Sequence, residues 1–312
     1  MTRSFEQKCE RPWLKGKHVC VGLDPDMSEF PTHLKNRRNT EQQIYDFLKA
    51  IVDSTGKVAA AFKPNYAFFE KYGDVGVKVY VMICQYIKTF HEDVVLICDA
   101  KRGDIGNTNI GTADFFFERC AADVLTVHGY MGPEALEPFL YRNGQGVFVL
   151  CRTSNPGSGE FQDRQVLVSQ AEAERYNLPS VLPSQEMTLE ESRDYHREKK
   201  VTYHMPLYQL VAARVSDFWN KNHNCGLVTG ATYPEEIGKV RQVAPDLALL
   251  IPGIGKQGGD LEKSVRAARF RFYINLSSAV SYASPGEDFA EAALAKTLEV
   301  DGQIRAIMQQ NR

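Results

Sequence analysis

The chain has 312 residues, 43% of them hydrophobic and 24% charged, with a formal net charge of -2. Nothing in that balance points to a nucleic-acid partner, and no run approaches the roughly 18 consecutive apolar residues that a membrane-spanning helix needs. The length is compatible with one closed α/β domain, since single barrels commonly exceed ~200 residues.

In chain order, the polar start MTRSFEQKCERPWLKGK lacks the apolar core of a signal peptide, so a reducing, cytoplasmic location is expected. Short β-rich runs then recur: HVCVGLD (18–24), VAAAFKPN (58–65), VVLICDAK (94–101), VLTVHG (124–129), GVFVLCRT (146–153), CGLVTG (225–230), LALLIPGIG (247–255) and FRFYINLS (270–277). Runs this apolar along their whole length are expected where both faces of a parallel sheet are covered. The stretches between them read as helices. TEQQIYDFLKAIVDS starts at Thr40 as a candidate N-cap, NTNIGTADFFFERCAA follows the third strand, and YPEEIGKVRQVAP carries acids in its first turn. Eight strand–helix units predict a (β/α)8 TIM barrel in a single domain over 1–312 rather than a doubly wound sheet.

One interval is out of proportion. About fifty residues, Ser154 to Met205, separate the fifth strand from the helix PLYQLVAARVSDFW, far beyond an ordinary connection. The insertion (about 157–204) opens with PGSGEF and ends in the charged run EESRDYHREKK. Its first part reads equally as surface excursion or as a lid over the barrel mouth, and the charged run reads as solvated surface.

Barrel chemistry is carried at the C-terminal ends of the strands, and the unusual polar residues gather there. Asp24 ends the first strand, Lys63 and Asn65 the second, Asp99 and Lys101 the third with Asp104 just beyond, and Arg152, Thr153, Ser154 and Asn155 the fifth. Asp99 and Lys101 are two apart on a strand, so both should face the interior mouth. A lone buried lysine or carboxylate would neutralise, whereas an alternating Lys-Asp-Lys-Asp set can stay charged. After the seventh strand, PGIGKQGGD (252–260) leads to a helix starting at Asp260. The turn can offer backbone N–H groups to a phosphate, and equally reads as a tight turn.

The seven cysteines (Cys9, Cys20, Cys84, Cys98, Cys120, Cys151 and Cys225) form no CxxC pair and read as small core residues. No HxH or HExxH spacing occurs among the histidines, so no catalytic metal is expected. His128, at the end of the fourth strand, is the histidine expected nearest the site, chiefly in a packing role.

The segment DAKRGDIGNT (99–108) resembles the DxKxxD signature of the orotidine 5'-monophosphate decarboxylase family. VGLDPD (21–26), FKPNYAFFEKYG (62–73), HGYMG (128–132), RTSNPGS (152–158) and PGIGKQGGD (252–260) resemble that family's other blocks in order, so the likeness spans nearly the whole chain. DxKxxD alone recurs in related sugar-phosphate barrels; its combination with FKPN and PGIG is specific. The resemblance implies a cofactor-free decarboxylase, active as a homodimer with shared sites. Lys63, Asp99 and Lys101 of one subunit would join Asp104 of the other, with Lys101 as proton donor and Thr108 also reaching the neighbouring site. It further implies that Asp24 and Asn65 hold the ribose, Ser154 the pyrimidine edge and Gln257 the phosphate, with Gly255 and Ser278 among the substrate-binding positions. Members of the family are sometimes fused to the orotate phosphoribosyltransferase that makes their substrate, so the chain could be one piece of such a protein.

The departure lies in NLSSAVSYA (275–283), where Ser278 stands at the family's phosphate-gripping arginine. Serine donates one neutral hydrogen bond, and a charge-assisted pair is worth roughly twice as much. Arg269 and Arg271 sit at the other end of the last strand. Three alternatives stay open: a magnesium-dependent sugar-phosphate enzyme using the DxKxxD carboxylates, a Schiff-base aldolase using Lys63 or Lys101, and a nucleotide-binding barrel that has lost catalysis.

Overall fold

The computed structural model describes residues 3–36, 39–181, 201–255 and 257–310. All eight expected strands form: β1 (Val19–Leu23), β2 (Ala61–Pro64), β3 (Val95–Arg102), β4 (Val124–Val127), β5 (Gly146–Arg152), then β9 (Cys225–Thr229), β10 (Ala248–Ile251) and β11 (Phe272–Leu276). They close into a parallel barrel in which β1 pairs with both β2 and β11. Among the described residues no helix is long and apolar enough to cross a membrane.

Side chains of each strand alternate between two apolar layers. Val19, Val21 and Leu23 of β1, Phe62 of β2 and Leu96 and Cys98 of β3 pack outward against the helices. Cys20, Ala61, Val95, Ile97, Val124, Phe148, Ala248, Leu250 and Tyr273 fill the barrel interior. Because the side-chain period is two, continuing the inward series toward the C-terminal mouth reaches Asp24, Lys63, Asp99, Thr126, Asn275 and Ser277. The polar residues that end the strands are therefore the top layer of the barrel filling.

The chain start, expected only to be polar, is a helix (Phe5–Leu14) that stoppers the other end. Ser4 and Gln7 form a reciprocal capping box, with Ser4 N–H donating to Gln7 Oε1 at 3.0 Å and Gln7 N–H to Ser4 Oγ at 3.3 Å. Phe5 meets the Phe148 ring edge-on at 6.3 Å, and Trp13 tilts onto Tyr273 at 4.9 Å. Arg271 pairs with Glu10 of this helix at 2.6 Å, which fixes that arginine at the end remote from the mouth.

Two expectations are corrected. The helix Thr40–Thr55 is capped one residue earlier than expected, because Asn39 Oδ1 accepts the Gln42 N–H at 2.9 Å and leaves Thr40 inside the first turn. The insertion is more than a polar excursion: β6 (Gln165–Val168), β7 (Ser180–Val181) and β8 (Thr202–Pro206) form an antiparallel sheet in the order β6-β8-β7, with a helix (Gln170–Arg175) between the first two. The charged run at 190–200 lies outside the described residues. All seven cysteines are free and buried, as expected.

Candidate active site

A cavity of about 740 Å3 opens at the C-terminal mouth, within the size range of ligand sites. Its floor is the top layer of the barrel. Asp99 Oδ2 accepts from Lys63 Nζ at 2.7 Å, and Oδ1 accepts from Lys101 Nζ at 2.6 Å and from Thr126 Oγ1 at 3.0 Å. Burial opposes a charge on Asp99, but the two ammonium groups outweigh it and hold the carboxyl well below its usual range. Burial likewise opposes the Lys63 ammonium, and the Asp99 and Asp24 carboxylates overcome it, raising its pKa.

The two lysines are not equivalent. The Lys63 side chain is 4% exposed, whereas that of Lys101 is 48% exposed, so one is a fixed interior charge and the other projects into the open site. Lys101 reaches the mouth on the side that alternation expects, but through an irregular backbone. The β3–β4 register shifts between Cys98 and Arg102, and Lys101 adopts φ 48°, a left-handed conformation uncommon for a side-chain-bearing residue. Thr126 Oγ1 accepts the Lys101 N–H at 3.0 Å while donating to Asp99, so one hydroxyl stabilises both the bulge and the carboxylate. Strained backbone of this kind is retained where the surroundings over-determine it, often at functional sites.

On the β1 side, Asp24 lines the cavity with Oδ1 buried and unpartnered among the described residues. Burial pushes its carboxyl up, partly opposed by Lys63. A buried acceptor without a donor is costly, and a ligand hydroxyl would satisfy it. Asn65 lines the same wall, and its Oδ1 caps the helix Tyr66–Glu70 by accepting from Ala67 N–H at 3.3 Å. Gly22 is required where β1 passes β11: a Cβ there would stand 1.9 Å from Ser277 Oγ.

Ser154 lies on the opposite wall, beside Thr153, Asn155 and Gln162. Gln257, Gly253 and Ser278 line the remaining end. Gly253 has φ +106° and Gly255 φ +90°, so the turn takes a course that other residues resist; Gly255 shapes it without lining the cavity. The helix Leu261–Ala268 starts where expected, Asp260 accepting the Lys263 N–H at 2.9 Å. Among the described lining residues the cations are Lys63 and Lys101, both committed to Asp99, so the Ser278 end has no fixed positive charge.

Asp104 and Thr108 are not in this cavity. They line an adjoining open concavity of about 700 Å3 with Tyr66, Arg102 and His128, and Lys101 borders both spaces. Among the described residues Asp104 has no cationic partner; its Oδ1 accepts the Ile105 N–H at 2.7 Å, and its own N–H donates to Asn109 Oδ1 at 3.1 Å. Thr126, Asn275 and Ser277 escaped the sequence reading, although each is a polar residue at an inward position of an otherwise apolar strand, which is the signal that finds them. Gln162 had no such signal, since it lies in the insertion.

The fold and this site define a (β/α)8-barrel enzyme. Residues 17–180 match the family described as Orotidine 5'-phosphate decarboxylase / HUMPS. The chain is 38% identical over 275 residues to the orotidine 5'-phosphate decarboxylase of Herpetosiphon aurantiacus, covering 88% of each. Among solved structures it resembles the OMP decarboxylase of Leishmania donovani (30% identity, TM-score 0.74, 98% of this chain and 99% of that one). It also resembles the UMP synthase of the same organism (32% identity, TM-score 0.76), covering 98% of this chain and 57% of that longer one. The chain belongs to the orotidine 5'-phosphate decarboxylase family and is a carboxy-lyase.

Proposed function

We propose that the protein decarboxylates orotidine 5'-monophosphate to uridine 5'-monophosphate in cytoplasmic de novo pyrimidine synthesis, using the Lys63–Asp99–Lys101 array and, across a dimer interface, Asp104. The observation that carries this reading is the single buried Asp99 carboxylate held between two ammonium groups, one of them half exposed at the cavity.

The bond between the ring carbon and the substrate carboxylate breaks, carbon dioxide leaves, and the electron pair stays on the ring carbon. Lys101 Nζ stabilises that charge and then delivers its proton there. Lys63 and Asp99 are already ordered before substrate arrives, so little reorganisation accompanies the charge shift. Asp24 accepts from a ribose hydroxyl, which gives its unpartnered oxygen a donor, and Asn65 assists on the same wall. Ser154 meets the pyrimidine edge. Gln257, Ser278 and the backbone of the glycine turn receive the phosphate through neutral donors. No step requires a cofactor or metal.

Shared sites are supported by the position of Asp104 and Thr108. Both line an open surface that meets the cavity at Lys101, and Asp104 lacks a cation within its own chain among the described residues. The test of the whole proposal is a spectrophotometric assay with orotidine 5'-monophosphate, with and without a chelator. Chelator-resistant conversion to uridine 5'-monophosphate is expected; absence of turnover, or turnover abolished by the chelator, would overturn it.

A further inference from the structure

Arg152 is the largest fully buried side chain among the described residues, yet it does not line the cavity. It stands at the end of β5, where the pairing with β9 shifts register between Leu150 and Arg152. Its guanidinium lies in the base of the loop that follows rather than in the cavity.

Every face of the guanidinium is engaged. Nε donates to Glu236 Oε2 at 2.5 Å, Nη1 to the Ser158 hydroxyl and to Gln162 Oε1 at 3.3 Å, and Nη2 to Asp163 Oδ2 at 3.1 Å. Its Cζ lies over the Tyr233 ring, 3.9 Å from the ring centre. Glu236 and Tyr233 belong to the start of the helix Pro234–Val243, while Ser158, Gln162 and Asp163 belong to the loop after β5. One side chain therefore ties the loop both to its own strand and to the next helix.

The tie reaches the cavity through Gln162. Its Oε1 accepts the Thr153 N–H at 2.9 Å, and its Nε2 donates to Thr153 Oγ1 at 2.9 Å, which in turn donates to Asn155 Oδ1 at 2.7 Å. Thr153, Ser154, Asn155 and Gln162 all line the wall opposite Asp24. As a source of stability such a buried ion pair is weak, because desolvation consumes most of the Coulombic gain. Burial pushes the Glu236 carboxyl up in spite of Arg152, consistent with that cost. What the fork supplies is geometry: five donors in one plane fix several acceptors at once, which an ammonium cannot do.

We propose that Arg152 is a positioning residue for the ring of the substrate: it holds the loop 153–163 in its binding arrangement before substrate arrives, without touching the substrate. This rests on the decarboxylase reading above. The effect should fall on binding rather than on the chemical step, since Lys101 and Asp99 are held by β3 and β4.

The test compares wild type with Arg152→Gln, Arg152→Lys, Asp163→Asn and Glu236→Gln. It measures kcat and KM for orotidine 5'-monophosphate, Kd for uridine 5'-monophosphate by calorimetry, and deuterium exchange at 153–163. For Arg152→Gln, KM and Kd should rise together by about tenfold or more with kcat nearly unchanged, and exchange in the loop should accelerate. Arg152→Lys should recover only part of the loss. Unchanged KM and Kd, whatever happens to Tm, or a fall in kcat at constant KM would overturn the proposal. Should Arg152→Gln not fold, Asp163→Asn and Glu236→Gln, which each turn one charge-assisted arm into a neutral one, should show the same KM-only pattern at smaller size; unchanged KM in both would refute it. If wild type neither binds nor converts the nucleotide, the decarboxylase reading fails, while loop exchange in Arg152→Gln still decides whether the latch exists: faster exchange supports it and unaltered exchange rejects it.

Discussion

The two ends of the cavity are built on opposite electrostatic plans. At the floor, Lys63, Asp99, Lys101 and Thr126 form a dense array in which each charge is held by its neighbours. At the far end, Gln257, Ser278 and a left-handed glycine turn offer only neutral donors among the described residues. Interior charges cannot stand singly and therefore come as a set, whereas a phosphate at the rim keeps contact with water and can be held by dipoles alone. If the proposed function holds, chemistry and anchoring are separable, and mutations at the two ends should give different kinetic signatures.

The largest effect is expected at the floor. Lys101→Ala should lower kcat by at least about 10^3-fold while leaving the circular dichroism spectrum and the oligomeric state intact; wild-type turnover would break the division of labour. Next comes complementation across the proposed interface. Lys101→Ala and Asp104→Ala, each inactive alone, should recover about a quarter of wild-type activity when exchanged at equal amounts, because half the dimers are hybrids with one intact site. No recovery despite demonstrated subunit exchange would count against shared sites.

At the neutral end, Ser278→Arg should lower KM by about tenfold with little change in kcat, the difference between a neutral and a charge-assisted contact. The variant should also make KM more sensitive to salt than in wild type, and a variant KM equal to the parent's would mean that Ser278 does not face the phosphate.

The buried carboxylates separate by sign in acid. Asp99 is held below its unfolded pKa, so its contribution to stability is complete above the unfolded value of ~3.9 and lost as pH falls through its folded pKa. Asp24 is pushed up by burial, so its contribution is present below the unfolded value and lost as pH rises through its folded pKa. Urea unfolding should therefore show a shallower acid limb for Asp99→Asn than for wild type, and for Asp24→Asn a gain in relative stability toward neutral pH. The smallest effect lies far from both ends: Asn39→Ala should cost about 1 kcal/mol of stability without altering kinetics, whereas Thr40→Ala should be nearly silent.

The identity of the eight strands and the polar residues at their ends were legible in the chain, because hydrophobic runs and a period of two are local properties. Lys63, Asp99 and Asp24 needed only that period. Lys101 shares that face as the period predicts, but its half-exposed pose depends on a bulge stabilised by Thr126 from the next strand. Arg152 belongs to the same case, its surroundings coming from two separate parts of the sequence, the loop after β5 and the helix start at 233–236. The stoppering helix at the chain start and the small antiparallel sheet of the insertion were likewise beyond reading, because their apolar residues are few and acquire partners only after the barrel has closed. By itself, then, the order of residues determined the barrel, its charged floor and the lack of an arginine at 278. Only the tertiary structure decided which lysine is buried, which concavity holds Asp104 and what Arg152 grips, because those depend on contacts between elements far apart in sequence.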